Sequence, residues 1–247
     1  MLRFDRDVTE IRGFYHSRLG RWAARRINHI LRLCWPDMRG KTVLGIGYAI
    51  PFQAAWTDIK PLAVMTASQG VLRWPHHGPC ATVLTEDHIL PFGDETFDRI
   101  IIAHELENTD YANALLSEVW RVLTPQGRVI MIVPNRLGWW ARFDTTPFGF
   151  GHTFSSRQLR QLLQAHNFVW LQRHYSLFGP PSQRRLWLSL LPLWEWLGQR
   201  FFPKLGGALI AEASKQVYSI TPIAKAPPPQ AKRVRVDVGE LNPSPVG

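Results

Sequence analysis

Cysteine is scarce in this chain, long apolar runs are missing, and acidic residues are outnumbered. Only Cys34 and Cys80 occur in 247 residues. They stand far apart and in no metal-ligand spacing, which argues against a disulfide framework or a zinc site and fits a reducing compartment. No metal is expected. No stretch of about 18 residues is continuously apolar, so nothing is expected to span a membrane. The first residues are charged and lack a short apolar run followed by a cleavage site, so no signal peptide is expected and the compartment reads as cytoplasmic. Acidic residues number 19 against 29 Lys and Arg, a net charge of +10. The excess is uneven: residues 1–41 hold ten basic and four acidic side chains, and the tail from Ala224 four and two. Such a basic arm suits nucleic acid, anionic lipid or a solvated arginine-rich helix face, and the last is favoured. There is no recognised RNA-binding motif and no Asn-Pro-Pro-Tyr-type base-flipping signature, so nucleic acid is not the expected partner.

What is present reads as globular, with 45% hydrophobic and 19% charged residues. Ile11, Phe14, Tyr15, Leu19, Trp22, Ile27, Ile30 and Leu31 recur at helical spacing, predicting one or two helices over 8–33 with Gly20 as a break. Strands are predicted at Val43-Leu44, 61–66, 81–84, 97–104, 128–133, 168–177 and 208–220. Helices are predicted over 52–57, 111–123 and 158–165, the last with serine as N-cap. The strands lack polar alternation, as in a parallel sheet covered on both faces. Strand and helix follow one another in the rhythm of a doubly wound α/β domain. In such sheets ligands lie beyond the carboxyl ends of the strands. That places 45–49, Thr66, 86–88, 104–107 and Asn135-Arg136 around one crevice.

Gly45-Ile46-Gly47 reads as a tight turn after the first strand, where backbone N–H groups approach a ligand without a Cβ in the way. The third glycine of a dinucleotide fingerprint is missing, and Pro51 stands near its place.

Two longer segments carry a resemblance. Ile89-Leu90-Pro91-Phe92-Gly93-Asp94-Glu95-Thr96-Phe97-Asp98 runs on through a strand to Leu106-Glu107. Glu118-Val119-Trp120-Arg121-Val122-Leu123-Thr124-Pro125-Gln126-Gly127-Arg128 is followed by a strand and Pro134-Asn135. Both resemble the class I S-adenosylmethionine-dependent methyltransferases, in particular the small-molecule type with a Leu-Pro-Phe motif, over roughly 41–175. The resemblance implies a Rossmann-like, mostly parallel seven-stranded sheet with S-adenosylmethionine as cofactor. Gly45, Ile46, Gly47, Tyr48 and Ala49 would then hold the methionine part, Thr66 the ribose, and Glu86, Asp87 and His88 the adenine. The family pattern has an acid where Gly45 stands, glycines where Ala49 and Pro51 stand, and an acid at the end of the second strand, where Thr66 or its neighbour Met65 stands. Asp98 is expected to be structural, and Gly127 to take a positive φ in the turn after Pro125.

Methyl transfer needs positioning and desolvation more than acid–base groups. His104 is the candidate general base. Tyr15, Glu105, Asn135, Arg136 and His152 are candidates for orienting a substrate, with Tyr15 and His16 closing over the site if their helix folds back. The expected organisation is a helical arm (1–40), a methyltransferase-like domain (41–222) with a helical cap insert (about 182–203), and a disordered tail (223–247). The insert holds eleven large apolar side chains with Arg184, Arg185, Arg200 and Lys204 beside them, so peripheral membrane contact through 184–204 is an alternative to a packed cap. Methyl transfer to a small or lipid-like acceptor is the leading functional reading. A methyltransferase-fold binding or scaffold module and a nucleic-acid-directed enzyme are the alternatives.

Overall fold

The computed structural model describes residues 7–66, 69–75, 77–86 and 89–217. The expected tail, Asp87 and His88 lie outside these residues, and all the described ones belong to one compact unit. Seven strands form one sheet: β1 (Thr42–Gly47), β2 (Lys60–Thr66), β3 (Thr82–Thr85), β4 (Phe97–Ala103), β5 (Leu123–Pro134), β6 (Phe168–Ser176) and β7 (Ala208–Lys215). Their order is β3-β2-β1-β4-β5-β7-β6, and β7 runs antiparallel to both of its neighbours. The centre is apolar on both faces because Leu44, Ile46, Ile100, Ile101, Ile102 and the run from Val129 to Val133 are all buried. The strand order reverses between β1 and β4, where Gly47 pairs with Ala103. In doubly wound sheets such a reversal, at the carboxyl ends, is where a ligand crevice forms.

Helices cover both faces. α1 (Val8–His16), α2 (Arg18–Cys34), the short α3 (Ile50–Gln53) and α6 (Arg185–Phe201) lie on one, and α4 (Ala112–Val122) and α5 (Ser156–Ala165) on the other. α5 begins with a full capping box between Ser155 and Gln158. Arg121 of α4 reaches the Leu90 and Phe92 carbonyls and ion-pairs with Asp94 and Glu118, fixing the Leu-Pro-Phe turn. Asp98 accepts from the Thr42 N–H at 3.0 Å and pairs with Lys41, at the end of the sheet away from the crevice. No helix among the described residues is long and apolar enough to cross a membrane.

Several local expectations are corrected. Gly45-Ile46-Gly47 is the last half of β1, not a turn, and the chain turns only after it. Pro51 sits in the first turn of α3, where its missing N–H has no helical acceptor to lose, so the helix starts at Ile50 rather than at Phe52. The break between the first two helices is Ser17, whose hydroxyl accepts from the Gly20 N–H, while Gly20 lies inside α2. Gly20 is needed because a Cβ there would press into the Phe14 carbonyl. Gly127 has no positive φ; a Cβ would strike the Leu123 side chain, so closeness to that side chain requires glycine there.

Candidate functional site

At the end of β1 the two glycines are demanded by the chain itself. Gly47 has φ +70°, and a Cβ on it would press into the Ala103 carbonyl and come within 2.8 Å of the Glu105 Cβ. A Cβ on Gly45 would stand 2.8 Å from the Ala49 Cβ and 2.9 Å from the Gln53 amide. Gln53 fills the space under the loop and donates to the Val43 and Leu62 carbonyls. The loop N–H groups of Tyr48 and Ala49 are bonded internally, to Ala103 and Gly47. Ile46 belongs to the core on the α4/α5 side, so its side chain faces away from the crevice: successive strand residues point to opposite faces.

His104 follows β4 directly, in the left-handed region at φ +57°. A non-glycine residue held there is costly and recurs at functional sites. Its Nδ1 stands 3.1 Å from Glu107 Oε1 and its Nε2 2.7 Å from the Tyr15 hydroxyl, with all three residues buried. An ionised carboxylate only accepts, so the proton lies on Nδ1, and Nε2 accepts from the tyrosine. Burial, together with Tyr48 and Glu107, pushes the Tyr15 phenol well above its ordinary range, which keeps it a neutral donor. Tyr15 arrives from α1, which folds back over the sheet: the Val8 N–H donates to the Gln69 carbonyl. Tyr15 stacks on Tyr48 at 5.7 Å, and Phe148 meets His104 edge-on at 5.0 Å, with Trp140 behind it at 5.7 Å. Burial raises the Tyr48 phenol to about 12.

A second buried carboxylate lies beside this group. Glu105 Oε2 accepts from Gln69 Nε2 at 2.8 Å and from the Thr66 hydroxyl at 3.3 Å. The acid that a methyltransferase pattern puts on the second strand is thus absent from β2, but a carboxylate reaches the same spot from the end of β4.

Gly47, Tyr48, Thr66, His104, Glu105 and Tyr15 are therefore gathered, all buried, where the strand order reverses. Other expected residues stand apart from this group. Asn135 is buried, and its amide donates to the Lys204 and Gly206 carbonyls, so it clamps the loop before β7. Arg136 and Glu86 are exposed, and His152, also exposed, reaches the group only through its N–H, which donates to the Glu107 carbonyl at 2.7 Å. His16 is bonded to the Arg12 carbonyl rather than turned inward. Ala49 is buried beneath the loop. Gln69, Phe148 and Trp140 are not singled out by the sequence, since none lies in a motif and only the fold brings them to the end of β4; Glu107 closes the first family segment but has no role assigned by it.

The donor set suits a cationic, hydroxyl-bearing cofactor such as S-adenosylmethionine. Two buried carboxylates and the rings of Tyr15, Tyr48 and Phe148 favour positive charge. Among the described residues Glu107 Oε2 is buried without a hydrogen-bond partner, an orphan that a ligand group can satisfy. Among the described residues no group of His, Cys, Asp and Glu is arranged to hold a metal ion.

Comparison with known proteins agrees with this geometry. Residues 44–131 match the family model described as a methyltransferase domain. The ubiquinone/menaquinone biosynthesis C-methyltransferase UbiE of Desulfotalea psychrophila is 40% identical over 58 residues, which are 24% of this chain and 19% of that protein. The mitochondrial 2-methoxy-6-polyprenyl-1,4-benzoquinol methylase of Xenopus laevis is 29% identical over 114 residues, 45% of this chain and 36% of that one. The chain thus spans well under half the length of either relative. Among solved structures, an S-adenosylmethionine-dependent methyltransferase of Thermotoga maritima, a possible histamine N-methyltransferase, superposes with a TM-score of 0.59 at 18% identity, covering 86% of this chain and 98% of that one. An S-adenosylmethionine-dependent methyltransferase of Archaeoglobus fulgidus gives 0.54 at 16% identity, covering 82% and 96%. Residues 44–131 thus match a methyltransferase domain, and the sheet as a whole has the fold of S-adenosylmethionine-dependent methyltransferases.

Proposed function

We propose that the chain transfers a methyl group from S-adenosylmethionine to a small lipid-like acceptor bearing an acidic hydroxyl, of the quinol type. The observation that carries this reading is the buried Glu107–His104–Tyr15 relay at the carboxyl end of β4. The names of the two quinone-pathway relatives and the aromatic wall of Tyr15, Phe148 and Trp140 support the acceptor class. Free Cys34 and Cys80 support a reducing compartment such as the cytoplasm.

When bound, S-adenosylmethionine supplies an electrophilic methyl group. Glu105, with Thr66 and Gln69 behind it, holds the ribose hydroxyls in place of the missing second-strand acid. Tyr48 and the loop backbone at Gly47 border the methionine part. The acceptor hydroxyl gives its proton to the Tyr15 oxygen while the Tyr15 proton passes to His104 Nε2. Glu107 stabilises the imidazolium that forms, and the deprotonated acceptor becomes nucleophilic at oxygen or at a ring carbon. The rings of Phe148 and Trp140 keep water away from this step.

Incubating the protein with methyl-labelled S-adenosylmethionine and short-chain polyprenyl quinols tests the reading. Label is expected in the organic phase and to form far more slowly with H104N; label from neither quinols nor a lipid extract counts against it. A binding module without turnover is the second reading. It draws on Gly45 and Gly47, whose close contacts are met by the chain itself rather than requiring a ligand.

A further inference from the structure

α6 is held with an apolar face outward, the wrong one for a helix in water. Its buried side carries Leu191, Glu195 and Gly198. The Glu195 carboxylate accepts from the Ser176 hydroxyl at 2.8 Å and the Phe178 N–H at 3.1 Å, and pairs with Arg26 at 3.4 Å. Gly198 lies so close to the Phe178 ring that a Cβ would collide with it. With that face fixed, Leu186 (70% exposed), Leu193 (51%) and Trp196 (62%) point to solvent. At the end of the helix Phe201 and Phe202 are also exposed. With Trp139, Trp194, Leu197 and Leu205 they line an almost wholly apolar groove of about 290 Å³. Leu137 and Phe143, from the segment after β5, extend the patch. A contiguous apolar surface of this kind marks an interaction site.

Charge indicates what covers it. Arg136, Arg142, Arg200 and Lys204 are exposed on the same two segments. Between 185 and 205 the one acidic residue is Glu195, and it is turned inward. Two copies meeting through this patch would bring like charges together. An anionic bilayer instead accepts apolar side chains into its boundary while its headgroups meet the basic ones.

Position gives the contact a purpose. Asn135 ties the loop at 204–206 to the carboxyl end of β5, and Trp140 donates to the Gly179 carbonyl at 2.7 Å. The patch therefore lies at the crevice end of the sheet. Next to Trp139, the Trp140 ring leads by Phe148 to His104 in two ring contacts. We infer that α6 and the 136–143 segment form a docking surface for an anionic lipid bilayer. Only the purpose, delivery of a lipid-like acceptor, rests on the function proposed above; the surface itself does not.

Co-sedimentation of the full chain with vesicles tests the inference. It is expected to pellet with phosphatidylcholine–phosphatidylglycerol vesicles and much less with phosphatidylcholine alone, and added salt weakens the binding. W196S/F201S/F202S, all at exposed positions, is expected to lose on the order of tenfold in vesicle affinity at an unchanged melting temperature. R200E/K204E is expected to lose selectivity for the anionic vesicles. Failure of the wild type to pellet, or wild-type pelleting of the triple variant, overturns the proposal. So does a concentration-dependent dimer that the triple variant dissolves while neither form binds vesicles. Calorimetry with S-adenosylhomocysteine on the same sample separates the two readings. Heat without vesicle binding removes the docking surface alone, and vesicle binding without heat removes the cofactor reading alone.

Discussion

Replacing Glu105 with glutamine removes one negative charge from a buried site and keeps its shape. If Glu105 holds the ribose hydroxyls, the loss is that of a charge-assisted hydrogen bond, about 1.5–3 kcal/mol. That corresponds to a roughly 10- to 150-fold weaker dissociation constant for S-adenosylmethionine. The fold survives, because the glutamine carbonyl still accepts from Gln69 Nε2, now 2.8 Å from Glu105 Oε2. The Thr66 hydroxyl lies only 3.3 Å from that oxygen, so an aspartate at 66 returns a carboxylate to the same spot. T66D alone crowds two carboxylates together and is expected to bind weakly. E105Q/T66D is expected to recover most of the wild-type affinity, a coupling that a double-mutant cycle measures directly. Isothermal calorimetry on the four proteins is the assay. E105Q binding as tightly as wild type, or more tightly, refutes the reasoning and makes Glu105 a plug in the crevice.

Other outcomes follow from neighbouring contacts. H104N is expected to reduce kcat by about 10²–10⁴ while leaving cofactor affinity near wild type, and Y15F to reduce it less; single-turnover methylation assays separate chemistry from binding. G47A places a left-handed φ and a collision with the Ala103 carbonyl on one residue, and is expected to cost about 2–4 kcal/mol in urea unfolding. Alkaline stability depends on Cys34, whose thiol burial pushes up from 9.0 to about 12, and on Tyr48, raised to about 12. These raised groups keep their protons in the folded chain after the unfolded chain has begun to lose them. Stability is thus full below about pH 9 and falls above it, by about 1.4 kcal/mol per pH unit for each such group. C34A is expected to flatten the first part of that decline in melting temperature between about pH 9 and 10.

Much of the architecture was legible because its signals are local. Ile100-Ile101-Ile102 and the run from Val129 to Val133 read as buried strands without any tertiary information. Ser155 and Gln158 announce a capped helix. The family motifs then order the strands. The site was legible only where a single residue ends a strand, as at His104. What makes His104 chemically interesting comes from Tyr15, 89 residues away, and what fills the place of the ribose acid comes from Glu105, 39 residues from Thr66. No local pattern encodes such reach. The glycines show the opposite error. Gly45 and Gly47 suggest a ligand at close quarters, but the Ala103 carbonyl and the Gln53 amide are what a Cβ would meet. The apolar helix at 185–201 was evident from composition. Which face it buries depends on the hydrogen bonds of the buried Glu195 to Ser176 and Phe178, which no local pattern announces, and that orientation leaves Trp196, Phe201 and Phe202 outward.

The central claim is that this altered crevice still holds S-adenosylmethionine. Native mass spectrometry of the purified chain, alone and with added S-adenosylmethionine or S-adenosylhomocysteine, tests it most directly. The account predicts a one-to-one complex with either ligand that E105Q depletes. A spectrum showing only the bare chain at millimolar ligand would contradict it.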